Sequence, residues 1–561
     1  MRFGLFYEHQ IPRPWSEGAE ERLLQEALEQ IELADRVGFE YVWEVEHHFL
    51  EEYSHSSAPE VFLAAASQRT RRIRLGHGIV QLPHEFNHPA RVAERIATLD
   101  LLSGGRVEFG TGEGSSQAEL GGFGVDRNAK RAQWEEALDA VTRMFVEEPF
   151  AGYNGKYLQM PPRNVLPKPK QKPHPPLWVA CSRRETILLA ARKGIGALSF
   201  SFLEPEEAKE WADDYYRILM TEACVPGGFA VNPNLAVALP MMCHADEATA
   251  IERGIDGAHF FGYALSHYYV FGRHTPSVTG VWEEFQQRRR DYGFAREIVT
   301  ADQAPLGVKL LQHGLGSLRG AIGTPTQIRD LILRYERAGV DQVIFVLQAG
   351  RNKHEHICES IELFAREVMP EFAEKAEGVE KTRSERLGEA MEKALKRRAA
   401  ARQAPPGYVI TVQGEPGAIS TAVPRNLFTR LVARLSDGQL DAMLSFRLVP
   451  WLMFEALSKR LHPDGRFTAD VQFEITARGR IQTWVIRIAT TEVHLRTQAS
   501  EKPSLIFRTT APVLVRVLAG EINAGAAALE GRLDLEGDLH VLDKLLRMTA
   551  DPRNNRNHAT A

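Results

Sequence analysis

Glu46, His47 and His48 place a carboxylate beside two consecutive imidazoles at the end of a β-branched and aromatic run, residues 41–49. Imidazole exchanges protons near neutral pH, so a histidine at the carboxyl end of a strand can serve a bound ligand as acid or base. Residues 106–116, RVEFGTGEGSS, read as a strand running into a glycine-rich turn. Gly112, Gly114 and Ser115 there let backbone amides come close to an anion or a flat ring, although the spacing is not the dinucleotide fingerprint. Residues 179–186, VACSRRET, read as a strand, then Ser182 and Arg183, then a helix start. That is a ready phosphate site, and Ser182 is equally placed to cap the helix. His84-Glu85-Phe86-Asn87-His88 matches the zinc-protease pattern H-E-x-x-H, which needs both histidines on one helical face. Pro83 and Pro89 bracket it, and a residue before proline is pushed out of the α region. The segment therefore reads as a loop whose helix starts at Pro89, and no metal site is expected.

These groups need a scaffold that gathers strand ends. A strand at 2–7, a helical pattern at 21–36 ending at Gly38, and the strand at 41–49 make a βαβ opening. Further strand patterns fall at 73–82, 106–112, 176–181, 196–202, 235–243 and 342–348. Helical patterns lie between them at 61–68, 89–101, 130–147, 185–193, 205–222, 246–253 and 326–338. Eight strands alternating with helices is the count of a (β/α)8 barrel of the TIM type, whose ligands sit at the carboxyl ends of the strands. A doubly wound open sheet satisfies the same count. Residues 254–318, rich in His, Tyr, Phe and Arg, are too long for an ordinary connection and read as an inserted lid.

The chain has 561 residues, more than one core usually holds. Its formal net charge of −5, with both signs mixed, carries no nucleic-acid footprint. The four cysteines are far apart, and no apolar run is long enough to span a membrane. A cytoplasmic location is expected. The division expected is a barrel at 1–370, a charged, solvated helical linker at 371–426, an α+β domain at 427–550 and a disordered tail at 551–561. In the α+β domain Phe467, Ala469, Val471, Phe473 and Ile475 alternate with polar residues, as in a half-buried strand. Strands follow at 481–489, 492–497 and 504–508, with helices at 427–433, 511–518 and 539–548.

EHHF at 46–49, LGHGIVQLP at 75–83, HPAR at 88–91, LDLLSGGRVEFGTGEG at 99–114, WVACS at 178–182 and IGTP at 322–325 occur in the order seen in the bacterial luciferase-like flavin monooxygenases. The resemblance covers about residues 1–370. It implies a (β/α)8 barrel that binds reduced FMN, supplied by a separate flavin reductase, and reacts it with dioxygen. Carried over, it points to His47 as the catalytic histidine beside the flavin's oxygen adduct. Gly78–Ile79 becomes a non-proline cis peptide against the flavin ring, and Ser182, Arg183 and the turn through Gly112, Gly114 and Ser115 hold the phosphate. One departure is Glu113, which stands where the luciferase α-chain carries an arginine toward that phosphate; another is Gly112, in place of its reactive cysteine. An acid facing a phosphate is unfavourable, so Glu113 is expected to point elsewhere or to pair with Arg183 or Arg184.

Residues 427–549 resemble the sterol-carrier-protein type 2 lipid-transfer module, whose members enclose an apolar tunnel. Together the resemblances imply a flavin-dependent monooxygenase acting on an apolar aldehyde, ketone or lipid-like substrate, in a chain that forms dimers or tetramers. A deazaflavin-dependent hydride-transfer enzyme is the alternative within the fold, and a lipid carrier with an inactive barrel is the alternative from another class.

Overall fold

The alternation of strand 2–7 decides which residues face the barrel axis: Phe3, Leu5 and Tyr7 pack outward under the helices, while Phe6 joins the interior. The computed structural model describes residues 1–200, 204–292, 294, 307–310, 316–405, 408–410, 432, 434–459, 461, 467–490, 492–519, 522, 527–528, 530–538 and 541. It divides into two units, 1–405 and 406–561.

In the first unit eight parallel strands close on themselves: β1 (Arg2–Tyr7), β2 (Tyr41–Glu44), β3 (Arg74–His77), β4 (Val107–Gly112), β5 (Leu177–Cys181), β6 (Gly196–Ser199), β7 (Leu235–Cys243) and β8 (Gln342–Val346). The circle shuts where β1 pairs with both β2 and β8, Gly4 opposite Tyr41 and Phe3 opposite Val343. Closure excludes the open sheet. Two tryptophans fill the barrel, each lying where a neighbouring strand has glycine: a β-carbon on Gly76 would collide with Trp43, and one on Gly196 with Trp178. Their indole N–H groups donate to Gln342 Oε1 at 3.1 Å and to Glu108 Oε2 at 2.6 Å, so the buried polar edges are satisfied.

Three expectations change. The strand pattern at 73–82 is broken at Gly78 and Ile79, leaving β3 and a two-residue strand, Val80–Gln81, on β4. Helix Glu247–Ser266 continues through the first part of the expected lid and passes into a π-helical turn, His267–Phe271. Gly254 and Gly257 interrupt the apolar periodicity there because they are close-approach points: their β-carbons would collide with Met242 and with Asn352. Residues 293, 295–306 and 311–315 of the expected lid lie outside the described residues. Finally, the charged segment is one helix, Met369–Arg397, that lays Phe372, Leu387 and Ala394 into the barrel's core. Its Arg383 pairs with half-buried Asp341 at 3.1 Å. A narrow apolar stripe in a highly charged sequence is enough to dock a helix, so this segment is part of the barrel unit and not a solvated linker.

The second unit has a five-stranded sheet in the order Val493–Arg496, Arg480–Ile488, Ala469–Ala477, Leu505–Thr510, Leu533–Gly537. Helices Asp437–Leu444, Leu448–Ser458 and Ala511–Leu518 accompany it. In its core Phe454 stacks on Trp484 and Phe473 on Phe507, the two pairs meeting at a tilt. The expected helices at 427–433 and 539–548 and the tail at 551–561 fall almost wholly outside the described residues. Among the described residues no helix is long and apolar enough to cross a membrane.

Candidate active site

Five strand ends converge. Glu8 follows β1, Glu46 and His47 follow β2, Gly78, Ile79 and Gln81 follow β3, Gly112 to Ser115 close β4, and Ser182 and Arg183 follow β5. All of them line one cavity of about 450 Å³, a size suited to a cofactor-sized ligand. His47, Gly78, Ile79, Gly112, Gly114, Ser115, Ser182 and Arg183 are thus brought together, with apolar walls from Phe6, Val45, Phe200, Phe261 and Leu265.

His47 is fixed from several directions. Its backbone N–H donates to Ser56 O at 2.8 Å. Its Nδ1 lies 3.0 Å from Glu119 Oε1, and its Nε2 3.6 Å from Glu8 Oε2. Glu119 sits in the first turn of helix Gln117–Phe123, which Ser116 caps. It also accepts from His48 N–H at 3.1 Å and Gln81 Nε2 at 2.9 Å. Glu8 Oε1 accepts from the Tyr53 hydroxyl at 2.9 Å. Burial works against a charged imidazole, but Glu119 and Glu8 outweigh it and hold the His47 pKa up to about 9. Burial pushes Glu8 up to about 7 against the opposing pull of His47. Burial alone would raise Glu119 too, yet His47 keeps it below the usual carboxylate range. His48 turns away to Glu46 and the ring of Phe123 and does not line the cavity.

The glycine turn is tight by necessity. A β-carbon on Gly112 would collide with the Ile79 side chain, and Gly114 adopts φ 69° with Gln81 Oε1 only 2.6 Å from where a β-carbon would stand. The Gly78–Ile79 bond is trans, which corrects the expected cis peptide: the four cis bonds among the described residues all precede proline. A cis bond at a non-proline residue is costly. Here the trans chain lets Gly78 N–H donate to Glu44 O at 2.6 Å and Val80 pair beside Thr111.

At the mouth, Ser182 and Arg183 are exposed, and Arg183, not Ser182, occupies the N-cap of helix Arg184–Arg192 with no side-chain cap bond. The Ser182 hydroxyl is not spent on capping. Glu113 pairs with neither Arg183 nor Arg184. It takes Arg131 Nε at 2.7 Å and Lys130 Nζ at 3.3 Å, while Arg184 goes to Asp214. Arg131 and Arg127 also line the cavity, although no motif in the sequence marks them. The one signal they offer is crowding: Arg127, Lys130 and Arg131 gather at the start of helix Lys130–Val146, where the helix dipole disfavours cations unless an anion is near. Glu8 and Glu119 carry no sequence signal either, being 39 and 72 residues from His47.

The HEFNH segment is a turn. His88 is the N-cap of helix Pro89–Leu102, its ring accepting from Ala90 N–H at 3.2 Å, so the two histidines do not share a helical face.

The donor set fits a flavin nucleotide. Arg127, Arg131, Arg183 and Ser182 offer cations and a hydroxyl to a phosphate, and the close-packed Gly112–Ile79 wall suits a flat ring. Buried Glu8 Oε2 and Gln81 Oε1, both on residues lining the cavity, have no hydrogen-bond partner among the described residues.

Residues 1–342 match the family described as luciferase-like monooxygenase, and residues 463–549 match the SCP-2 sterol transfer family. The oxygenase component of a flavin-dependent trigonelline monooxygenase from Acinetobacter baylyi is 24% identical over 379 residues, 67% of this chain and 96% of that protein. Limonene 1,2-monooxygenase from Rhodococcus erythropolis is 42% identical over 125 residues, 22% of this chain and 32% of that protein. With several other curated relatives the chain spans about half of their length. Among solved structures, monooxygenase RslO1 from Streptomyces bottropensis superposes with a TM-score of 0.52 at 26% identity, covering 66% of this chain and 100% of that one. With a closed barrel, its site at the strand ends and a match across 1–342, the chain belongs to the luciferase-like monooxygenase family and carries an SCP-2 sterol transfer domain C-terminal to the barrel.

Proposed function

We propose that the barrel is a flavin-dependent monooxygenase that uses reduced FMN and dioxygen to oxygenate an apolar organic substrate, an aldehyde, ketone or lipid-like molecule. One observation carries this reading: a cationic mouth and a deeply held imidazole open onto the same aromatic and aliphatic cavity. Bound reduced flavin supplies the electrons that activate dioxygen. The residues do the rest. Arg127, Arg131, Arg183 and Ser182 bind the phosphate, as charge-assisted bonds to such an anion are the strong ones. Ile79 and the Gly112–Gly114 turn set the plane of the ring. His47, held at Nδ1 by Glu119, presents Nε2 with its proton to the cavity. Phe6, Phe200, Phe261 and Leu265 keep water from the reacting atoms, which protects a reactive intermediate from unproductive decay.

A separate flavin reductase is the proposed electron source, and the SCP-2-type unit is proposed to hold an apolar ligand. Assembly as a homo-oligomer is part of the same reading. The test is a titration of purified protein with FMN and with a deazaflavin, followed by substrate-dependent oxygen uptake with a generic reductase. Oxygen uptake with reduced FMN supports the proposal. Turnover without oxygen and with reduced deazaflavin only replaces it by hydride transfer. Binding of neither cofactor leaves a carrier with an inactive barrel.

A further inference from the structure

Glu8 is 3% exposed, yet only one of its two carboxyl oxygens is engaged by a hydrogen bond. Oε1 accepts from the Tyr53 hydroxyl; Oε2, without a hydrogen-bond partner among the described residues, stands 3.6 Å from His47 Nε2. On the other side of the same ring, Nδ1 meets Glu119 Oε1 at 3.0 Å. Each ring nitrogen therefore faces a carboxylate oxygen. A neutral imidazole has one N–H and one bare lone pair, and the bare lone pair would confront a carboxylate. With both carboxyl groups ionised, only the doubly protonated ring satisfies both sides.

We propose that Glu8 is a positioning residue that, with Glu119, keeps His47 an imidazolium, so that this site presents a fixed hydrogen-bond donor and positive charge to the cavity rather than a neutral base. The role of that charge in oxygenation rests on the monooxygenase reading; the charge state does not. Among the described residues, other ionisable groups also approach the ring or Glu8. Glu46 lies on its own segment and adds to the same effect. Tyr53 and Tyr269, from neighbouring elements, approach within 5.7 Å and 6.5 Å between ring centroids. Tyr53 is buried and Tyr269 half-buried, and both hold their protons well above the ordinary tyrosine value, desolvation being the main cause, so neither brings a charge at neutral pH. Glu44 lies near Glu8 and favours its protonated form. His47 holds the proton and the Glu8 carboxylate faces it at 3.6 Å; no covalent bond between heavy atoms is made or broken.

The test uses the full chain without any flavin, its histidines labelled at Cε1 with carbon-13 and read by NMR across pH. His47→Gln identifies the resonance. In the wild type that resonance should keep its protonated shift beyond pH 8; titration below pH 7 would overturn the proposal whatever the variants do. Glu8→Gln keeps an oxygen for Tyr53, removes the charge and turns an amide donor toward Nε2. It should lower the proton affinity of His47 by about tenfold or more, the usual scale for a carboxylate at this range. Glu8→Asp should recover part of it. An unchanged midpoint in Glu8→Gln means that Glu8 merely packs. Because no cofactor enters, this result and the flavin titration can fail independently.

Discussion

Gly112 stands directly behind Ile79, so close that a methyl group on Gly112 would displace the isoleucine side chain into the cavity. The wall of the site is therefore built from a pair, one residue with no side chain and one with a branched one. Gly112→Ala should leave the barrel folded, since Ile79 can move into open space, but should weaken FMN binding by about tenfold, the lower end of the cost of overpacking. Flavin fluorescence quenching measures the affinity and a thermal melt the fold. Unaltered affinity would remove Ile79 from the flavin wall.

His47 is expected to serve the chemistry and not the fold. His47→Ala should keep flavin affinity within a few-fold while turnover falls by about 10²-fold or more, the scale of a lost acid–base group. His48→Ala should cost much less, because its ring turns to Glu46 and Phe123 outside the cavity. Equal losses in the two variants would make the pair structural.

The mouth gives a charge-removal experiment. FMN should bind far more tightly than riboflavin, and Arg183→Ala or Arg127→Ala should narrow the gap. Glu113 occupies Arg131 at 2.7 Å. Glu113→Gln should release that guanidinium and tighten FMN without affecting riboflavin. If the variant instead binds FMN more weakly, Glu113 is orienting Arg131 rather than competing for it.

Much of this arrangement is legible in the amino-acid sequence. The β-branched and aromatic runs mark strands to within a few residues, because periodicity and the glycines after each element are local signals. Gly38, at φ 103°, ends its helix where the pattern stops. What the sequence does not carry are relationships made only by closure of the barrel. Glu8 reads as one acid in a polar stretch, and Glu119 as one acid in a short helix; nothing local says that both turn to His47. The pattern of helix Glu247–Ser266 breaks off early because Gly254 looks like a terminator, whereas it is the place where Met242 comes close. The helix at 369–397 looks solvated because charge outnumbers its apolar stripe. The trans bond at Gly78–Ile79 shows the limit of carrying a geometric detail across a resemblance.

Stability should depend on pH through the same histidine. In the fold His47 keeps its proton up to about 9, against 6.5 for an ordinary imidazole, with burial opposing and the two carboxylates prevailing. The folded state then binds more protons than the unfolded chain between those values. The stabilisation from this group is complete below about 6.5 and is lost as pH rises through 9. Glu8, raised by burial from 4.5 to about 7, acts in the same direction over its lower window. Resistance of the wild type to urea should fall from pH 6.5 to 9, and His47→Gln should flatten that slope. A slope unchanged by the substitution would assign the dependence to other groups.

The second unit should fold alone and take up apolar ligands. Strand Ala469–Ala477 is its centre, pairing antiparallel with Arg480–Ile488 and parallel with Leu505–Thr510. Val471, Phe473 and Ile475 are buried on it, with Phe454 and Leu514 covering them from the helices. Each large apolar side chain buried contributes about 1.5–3 kcal/mol, and a chain of this size can sustain its own core. Asp470, pinned by Arg487 at 2.6 Å and by the Ser500 hydroxyl at 2.7 Å, fixes the register of the first two strands from the edge of that core. The division of the chain falls between Pro405 and Pro406. Residues 406–561 expressed alone should therefore melt cooperatively and bind a fluorescent fatty acid, while residues 1–405 retain FMN binding. A folded fragment that takes up no acyl chain would leave the unit a packing or assembly module. A fragment that does not fold would show that the boundary cuts through a shared core, and the ligand assay would then have to be repeated on the full chain with the barrel's cavity blocked by FMN.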